Sequence, residues 1–98
     1  MRAPQRSGIA LDPAQPNPFN PSTTIRYRIT AASRVNLSIF DVHGALVATL
    51  VDEMQPAGSK SMVWNARDGR GHALASGVYV CRLQADGEQQ TRKLVLLK

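Results

Sequence analysis

A single cysteine, Cys81, means that no internal disulfide can staple this chain, so 98 residues must be held by their own apolar core. Cys81 sits in a strand-like run and reads as a small buried hydrophobe rather than a nucleophile. The two histidines, His43 and His72, both fall in turn sequences, and there is no Gly-x-Ser-x-Gly nucleophile elbow to build a triad around. One Cys and two distant His make no zinc spacing. Residues Asn65 to Gly71 look faintly like a calcium loop, but Arg67 and Arg70 interrupt it and no glutamate closes it. A turn capped by Asn65 and Asp68 is the better reading. The seven acids lie nearly all in turns, which leaves no carboxylate pair for glycoside hydrolysis. The chain is therefore expected to be no enzyme, with no catalytic residue, no cofactor and no metal. No apolar run approaches the ~20 residues of a membrane span. Met1-Arg2-Ala3-Pro4-Gln5-Arg6-Ser7 is charged but has no apolar stretch behind it, so it does not read as a secretory signal.

Positive charge is the one excess. A net charge of +5 and a pI of about 10.2 raise the question of nucleic acid. The distribution answers it: Arg26, Arg28, Arg34, Lys60, Arg67, Arg70, Arg82, Arg92 and Lys93 are scattered and interrupted by acids. With two Phe, two Tyr and one Trp, stacking groups are few. The expectation is a solvated basic surface with no nucleic-acid partner, open to contact with an anionic surface such as a cell-surface glycolipid.

What is present is punctuation and a period of two. Five prolines (Pro4, Pro13, Pro16, Pro18, Pro21) fall within the first 21 positions and forbid a helix there, so residues 1–23 read as an extended Pro-rich lead-in anchored by Phe19. From Thr24 the pattern alternates. Ile25, Tyr27 and Ile29 oppose Arg26, Arg28 and Thr30; Val35, Leu37 and Ile39 oppose Asn36, Ser38 and Phe40. A turn at Asp41-Val42-His43-Gly44 precedes a strand from Ala45 to Val51, ended by Asp52-Glu53. Pro56-Ala57-Gly58 marks the next turn, Ser59 to Asn65 the next strand, and residues 65–77 a turn-rich stretch. Val78 to Ala85 and Gln89 to Leu97 form a hairpin about Asp86-Gly87, a strong type I′ signal. Six or seven strands at 8–12-residue spacing, with no helical period, define an all-β, immunoglobulin-like antiparallel β-sandwich over residues 24–98. Trp64, Tyr27, Tyr79 and Phe40 could form a carbohydrate-binding platform, but Trp64 and Tyr27 share the phase of the aliphatic residues and read as core.

The run Pro16-Asn17-Pro18-Phe19-Asn20-Pro21-Ser22-Thr23-Thr24-Ile25 resembles the opening of the type IX secretion system C-terminal sorting domains (type A), which are similar to the immunoglobulin-like domain of the flagellar hook-capping protein. The likeness continues through Val35 to Gly44, Val47 to Val51, Pro56-Ala57-Gly58, Val63-Trp64, Ser76-Gly77-Val78-Tyr79, Arg82-Leu83 and Arg92 to Lys98, and covers residues 11–98. The chain departs from the family at Gln15, where a tyrosine is usual, at Ala45, where an arginine is common, and at Cys81, which is commonly aromatic. The resemblance implies a monomeric, secreted or cell-surface tail that an outer-membrane secretion translocon and surface-attachment machinery read on a larger exported protein. A sorting tail ends its polypeptide, and Lys98 is expected to do so here. Lys93, Leu94, Val95, Leu96, Leu97 and Lys98 are the expected recognition residues, with edge-strand pairing as one mode. A carbohydrate-binding or adhesive module and a structural assembly domain of the hook-capping type are the alternatives.

Overall fold

A computed structural model describes residues 8–98; the charged opening Met1–Ser7 lies outside the described residues. Seven strands follow one another: β1 (Ile9–Leu11), β2 (Thr23–Ile29), β3 (Ser33–Asp41), β4 (Leu46–Gln55), β5 (Gly58–Trp64), β6 (Gly77–Ala85) and β7 (Glu88–Leu96). They make a three-stranded sheet in the order β1-β2-β5 and a four-stranded sheet in the order β4-β3-β6-β7. Every pairing between them is antiparallel. The sandwich is the fold that the alternation called for: Ile25, Tyr27 and Ile29 from one sheet and Val35, Leu37, Ile39, Cys81, Leu83, Leu94 and Leu96 from the other are buried between them. Each fully buried Leu or Ile is worth roughly 1.5–3 kcal/mol over leaving it in water.

Turn chemistry sets the register. Asp86 and Gly87 have φ of 54° and 75°, the left-handed pair that a type I′ hairpin requires, and Ala85 then faces Glu88 at the head of the β6–β7 ladder. Gly44 closes the β3–β4 turn at φ 82°, with the Asp41 carboxylate accepting from the backbone of His43 and Ala45.

Two elements differ from expectation. β4 does not stop at Asp52-Glu53 but runs on to Gln55, paired with Ser33. It is an edge strand, so Asp52, Glu53 and Met54 remain in water while their backbone stays in the ladder. Over its described residues, from Gly8 on, the lead-in is anchored by Phe19 but also contributes β1, and Ile9, Leu11, Ala14 and Phe19 all lie in the shared core. The change of composition at residues 23/24 is thus not a packing boundary. Phe19 stacks at a tilt on Trp64 of β5, ring centres 5.8 Å apart, and Trp64 meets Tyr79 of β6 edge-on at 6.2 Å. One aromatic row therefore ties the lead-in to both sheets.

Candidate functional site: the last strand and the segment that covers it

The resemblance pointed to Lys93 through Lys98. The alternation of β7 splits them into two sets: Leu94 and Leu96 point inward and are fully buried, whereas Lys93, Leu97 and Lys98 are exposed and Val95 is half-buried. Two of the six residues are therefore core and cannot be read by any partner while the domain is folded.

β7 is last in its sheet, which by itself would leave a free edge. The lead-in closes it. Phe19 donates its backbone N–H to the Val95 carbonyl at 2.9 Å, and its own carbonyl accepts from Leu97 N–H at 2.9 Å. One step earlier no backbone can donate, because Pro18 has no N–H, and the Asn17 carboxamide substitutes for a peptide unit. Its Nδ2 donates to the Lys93 carbonyl at 2.8 Å and its Oδ1 accepts from Val95 N–H at 2.9 Å. Further along, β7 side chains reach across to β1. Arg92 Nε donates to the Leu11 carbonyl (2.8 Å), Gln90 donates to Ile9 and accepts from Leu11 (3.1 and 2.7 Å), and Glu88 accepts from Gly8 N–H (2.7 Å). Residues 76 to 81 positions apart are thus laced into one edge. The expected mode of edge-strand pairing at β7 meets an edge whose hydrogen bonds from Lys93 to Leu97 are already made. What β7 offers a partner is its outward side chains.

The remaining candidates sit as follows. Trp64, Tyr27 and Tyr79 are buried, and their polar atoms are used internally: Trp64 Nε1 donates to Arg67 O (3.1 Å), Tyr27 Oη to Gln55 Oε1 (2.7 Å) and Tyr79 Oη to Ala75 O (2.7 Å). Burial raises both tyrosine pKa values. Phe40 is half-buried beneath the Arg82 guanidinium, whose carbon lies 4.5 Å from the ring centre. These four aromatics therefore present no sugar-stacking platform. Cys81 is buried, and desolvation pushes its thiol up to about 12, away from nucleophile chemistry. His43 and His72 are exposed in turns. Asp68 organises the 68–72 turn: its Oδ1 accepts from Arg70 and His72 N–H, both at 2.9 Å, and its Oδ2 lies 3.5 Å from His72 Nδ1. Those bonds, that from the His72 backbone above all, hold the Asp68 carboxyl below the ordinary carboxylate value. Among the described residues no three His, Cys, Asp or Glu side chains gather where they could hold a metal ion. Among the described residues there is no helix long and apolar enough to cross a membrane.

With this geometry in view, the comparisons with known proteins identify the class. Residues 20–89 match the FlgD Ig-like domain family, and the chain belongs to it. No curated protein matches the sequence. Among solved structures, FlgD from Xanthomonas campestris, described through hook capping essential for flagellar assembly, aligns over 91% of this chain at 27% identity and a TM-score of 0.58. Dimeric latent PorU from Porphyromonas gingivalis aligns over 94% at 21% identity and a TM-score of 0.66. PorZ from the same organism, described as an essential surface component of the type IX secretion system, aligns over 93% at 22% identity and a TM-score of 0.62. The chain spans 62% of that FlgD but only 10% and 12% of PorU and PorZ.

Proposed function

We propose that this domain is a non-catalytic sorting and surface-attachment module that directs a larger exported protein through the type IX secretion system. The observation that supports the reading best is the extent of the shared fold: 94% and 93% of the chain superposes on a part of PorU and of PorZ, leaving room for the β1 and Pro-Asn-Pro-Phe-Asn segments as well as the sandwich. The motif resemblance at Pro16–Ile25 and Arg92–Lys98 supports it independently. A sorting module needs no chemistry; it needs a rigid body carrying an address. Here Lys93, Val95, Leu97 and Lys98 supply the outward side of that address, and the destination is the cell surface or the medium.

The test uses the whole 98-residue chain, because β1 belongs to the fold. Fused behind a reporter exported to the periplasm of a host with type IX machinery, it is expected to deliver the reporter to the surface or medium, and to fail in a translocon-deficient strain. A folded fusion retained in the periplasm of the competent host would remove the sorting role. A second reading, a structural assembly domain of the hook-capping type, draws on the FlgD match at 27% identity over 91% of the chain. It calls for self-association or filament-end binding in place of export.

A further inference from the structure

We infer that the solvent face of the four-stranded sheet, at the end carrying Phe40, Val80 and Arg82, is a docking surface for a protein segment that combines aliphatic side chains with carboxylates. This inference goes beyond the sorting role and holds whether or not the domain is a sorting tail.

The opposite phase from the buried residues puts Arg34, Asn36 and Phe40 of β3 (Ser38, of the same phase, is itself buried), Val78, Val80, Arg82 and Gln84 of β6, and Lys93 and Val95 of β7 on the outside. The register then places Leu46 beside Phe40, Phe40 beside Val80, and Val78 beside Val95. An aliphatic band thus crosses all four strands at one end of the sheet. Leu46 is 59% exposed and Leu97, just past β7, is 52% exposed, which the ordinary alternation of a solvated sheet face does not call for. Toward the other end the same face turns polar, with Asn36, Gln84 and Gln89.

Charge selects the occupant. Arg82 stands in the band with its guanidinium laid on the Phe40 ring at 4.5 Å, and its Nε is buried with no hydrogen-bond partner. Lys93, opposite Val80, makes no ion pair among the described residues. Among the described residues the one side-chain carboxylate on this face is Asp52, at the polar end and taken by Arg34 at 3.0 Å. The band is therefore edged by cations that find no counter-charge among the described residues, a surface complementary to an acidic partner and repulsive to a second copy of itself. The Arg82–Phe40 stack is the kind of half-desolvated anchor on which interfaces concentrate their affinity. The band lies on paired strands and is continued by exposed Val42 in the β3–β4 turn, and its cations fit a carboxylate-bearing peptide laid along those strands. With its single ring covered by Arg82, it also offers no base-stacking platform.

The probe is a synthetic seven-residue peptide alternating glutamate with leucine and valine, titrated into the isotope-labelled full chain and followed by amide chemical shifts. Saturable shifts are expected at positions 40, 46, 78, 80, 82, 93 and 95. A peptide with serine in place of the aliphatic residues, and the double variant Arg82→Glu/Lys93→Glu, should each weaken binding about tenfold, as removal of an anchor or reversal of paired charges does. Arg26→Glu/Arg28→Glu, on the other sheet, should leave it within about twofold. If Arg82→Glu lowers the unfolding temperature, Arg82→Gln/Lys93→Gln replaces it with the same expectation. Shifts centred on Arg26 and Arg28, equal affinity for both peptides, or no saturable binding would each overturn the inference. So would residues 40–95 responding to phosphatidylglycerol vesicles but not to the peptide, which would make this face a membrane contact.

Discussion

At the scale of single residues, the side chains that matter most here are those whose polar groups have been taken out of circulation. Cys81 is the clearest. Desolvation between the sheets lifts its thiol from 9.0 to about 12, so the folded chain holds the proton more tightly than the unfolded one. That contribution to stability is complete below about pH 9 and drains away as pH rises toward 12, the folding constant losing about tenfold per pH unit across that window. Tyr27 and Tyr79, also raised by burial, act in the same direction. Urea midpoints at pH 8 and pH 10.5 should therefore diverge for the native chain and diverge less for Cys81→Ala. A thiol reagent at pH 8 should find Cys81 only after denaturant is added. Reaction of the native protein at the rate of free cysteine would contradict the burial. Asn17 makes the second residue-scale prediction. Asn17→Ala deletes the surrogate peptide that bonds Lys93 and Val95, at a cost of about 1–2 kcal/mol. A thermal midpoint lower by roughly 4–8 °C per kcal/mol would show it; an unchanged midpoint would mean that water replaces the amide without loss.

At the scale of elements, legibility followed the period. β2, β5 and β6 were readable because each alternates over seven to nine residues, β3 because its alternation fails only at buried Ser38, and the Asp86–Gly87 hairpin because its turn chemistry is local. β1 was not. Three residues, Ile9-Ala10-Leu11, are too few to carry a period, and prolines on the C-terminal side made the whole stretch look like a tether. The full length of β4 was hidden because its last residues are polar, as an exposed edge permits. The candidate site was legible only in part. The resemblance proposed its position, but the covering of the β7 edge depends on partners 76 to 81 residues away, which no window along the chain can show. The same fact yields a prediction. A chain cut to residues 24–98, the boundary composition suggests, loses β1, Phe19 and the whole β7 covering, and with them four buried apolar side chains (Ile9, Leu11, Ala14, Phe19). It should show collapsed amide dispersion and no cooperative melt, whereas residues 8–98 should unfold in one transition. Phe19→Ala in the intact chain should cost about 3–5 kcal/mol. A well-dispersed spectrum from 24–98 would show that the segment is an ornament on a self-sufficient sandwich.

At the scale of the molecule, the proposed function gives β7 two duties that can be separated, because its pleat sends them to opposite sides. Leu94 and Leu96 hold the sandwich together, so Leu94→Ala should cost about 2–5 kcal/mol, and any loss of export it causes would report unfolding rather than recognition. Deleting 93–98 would confuse the two in the same way. The outward set is the informative one: Lys93→Glu, Leu97→Ser and Lys98→Glu together change exposed positions and should shift stability by no more than about 0.5 kcal/mol per site. On the sorting reading, the reporter fused to this triple variant melts like the native fusion yet accumulates in the periplasm, while the native fusion reaches the surface. If both reach the surface equally, the domain remains a sorting module but β7 is not where it is read, and attention passes to the aliphatic band around Phe40 and Val80. If neither does, the sorting role itself falls. If β7 is read, its covered edge requires that the partner reads side chains projecting from a closed sandwich, or else that it first lifts Asn17 and Phe19 away from Val95. The Asn17→Ala fusion distinguishes these, because weakening the covering should speed export only if lifting is a step on the way.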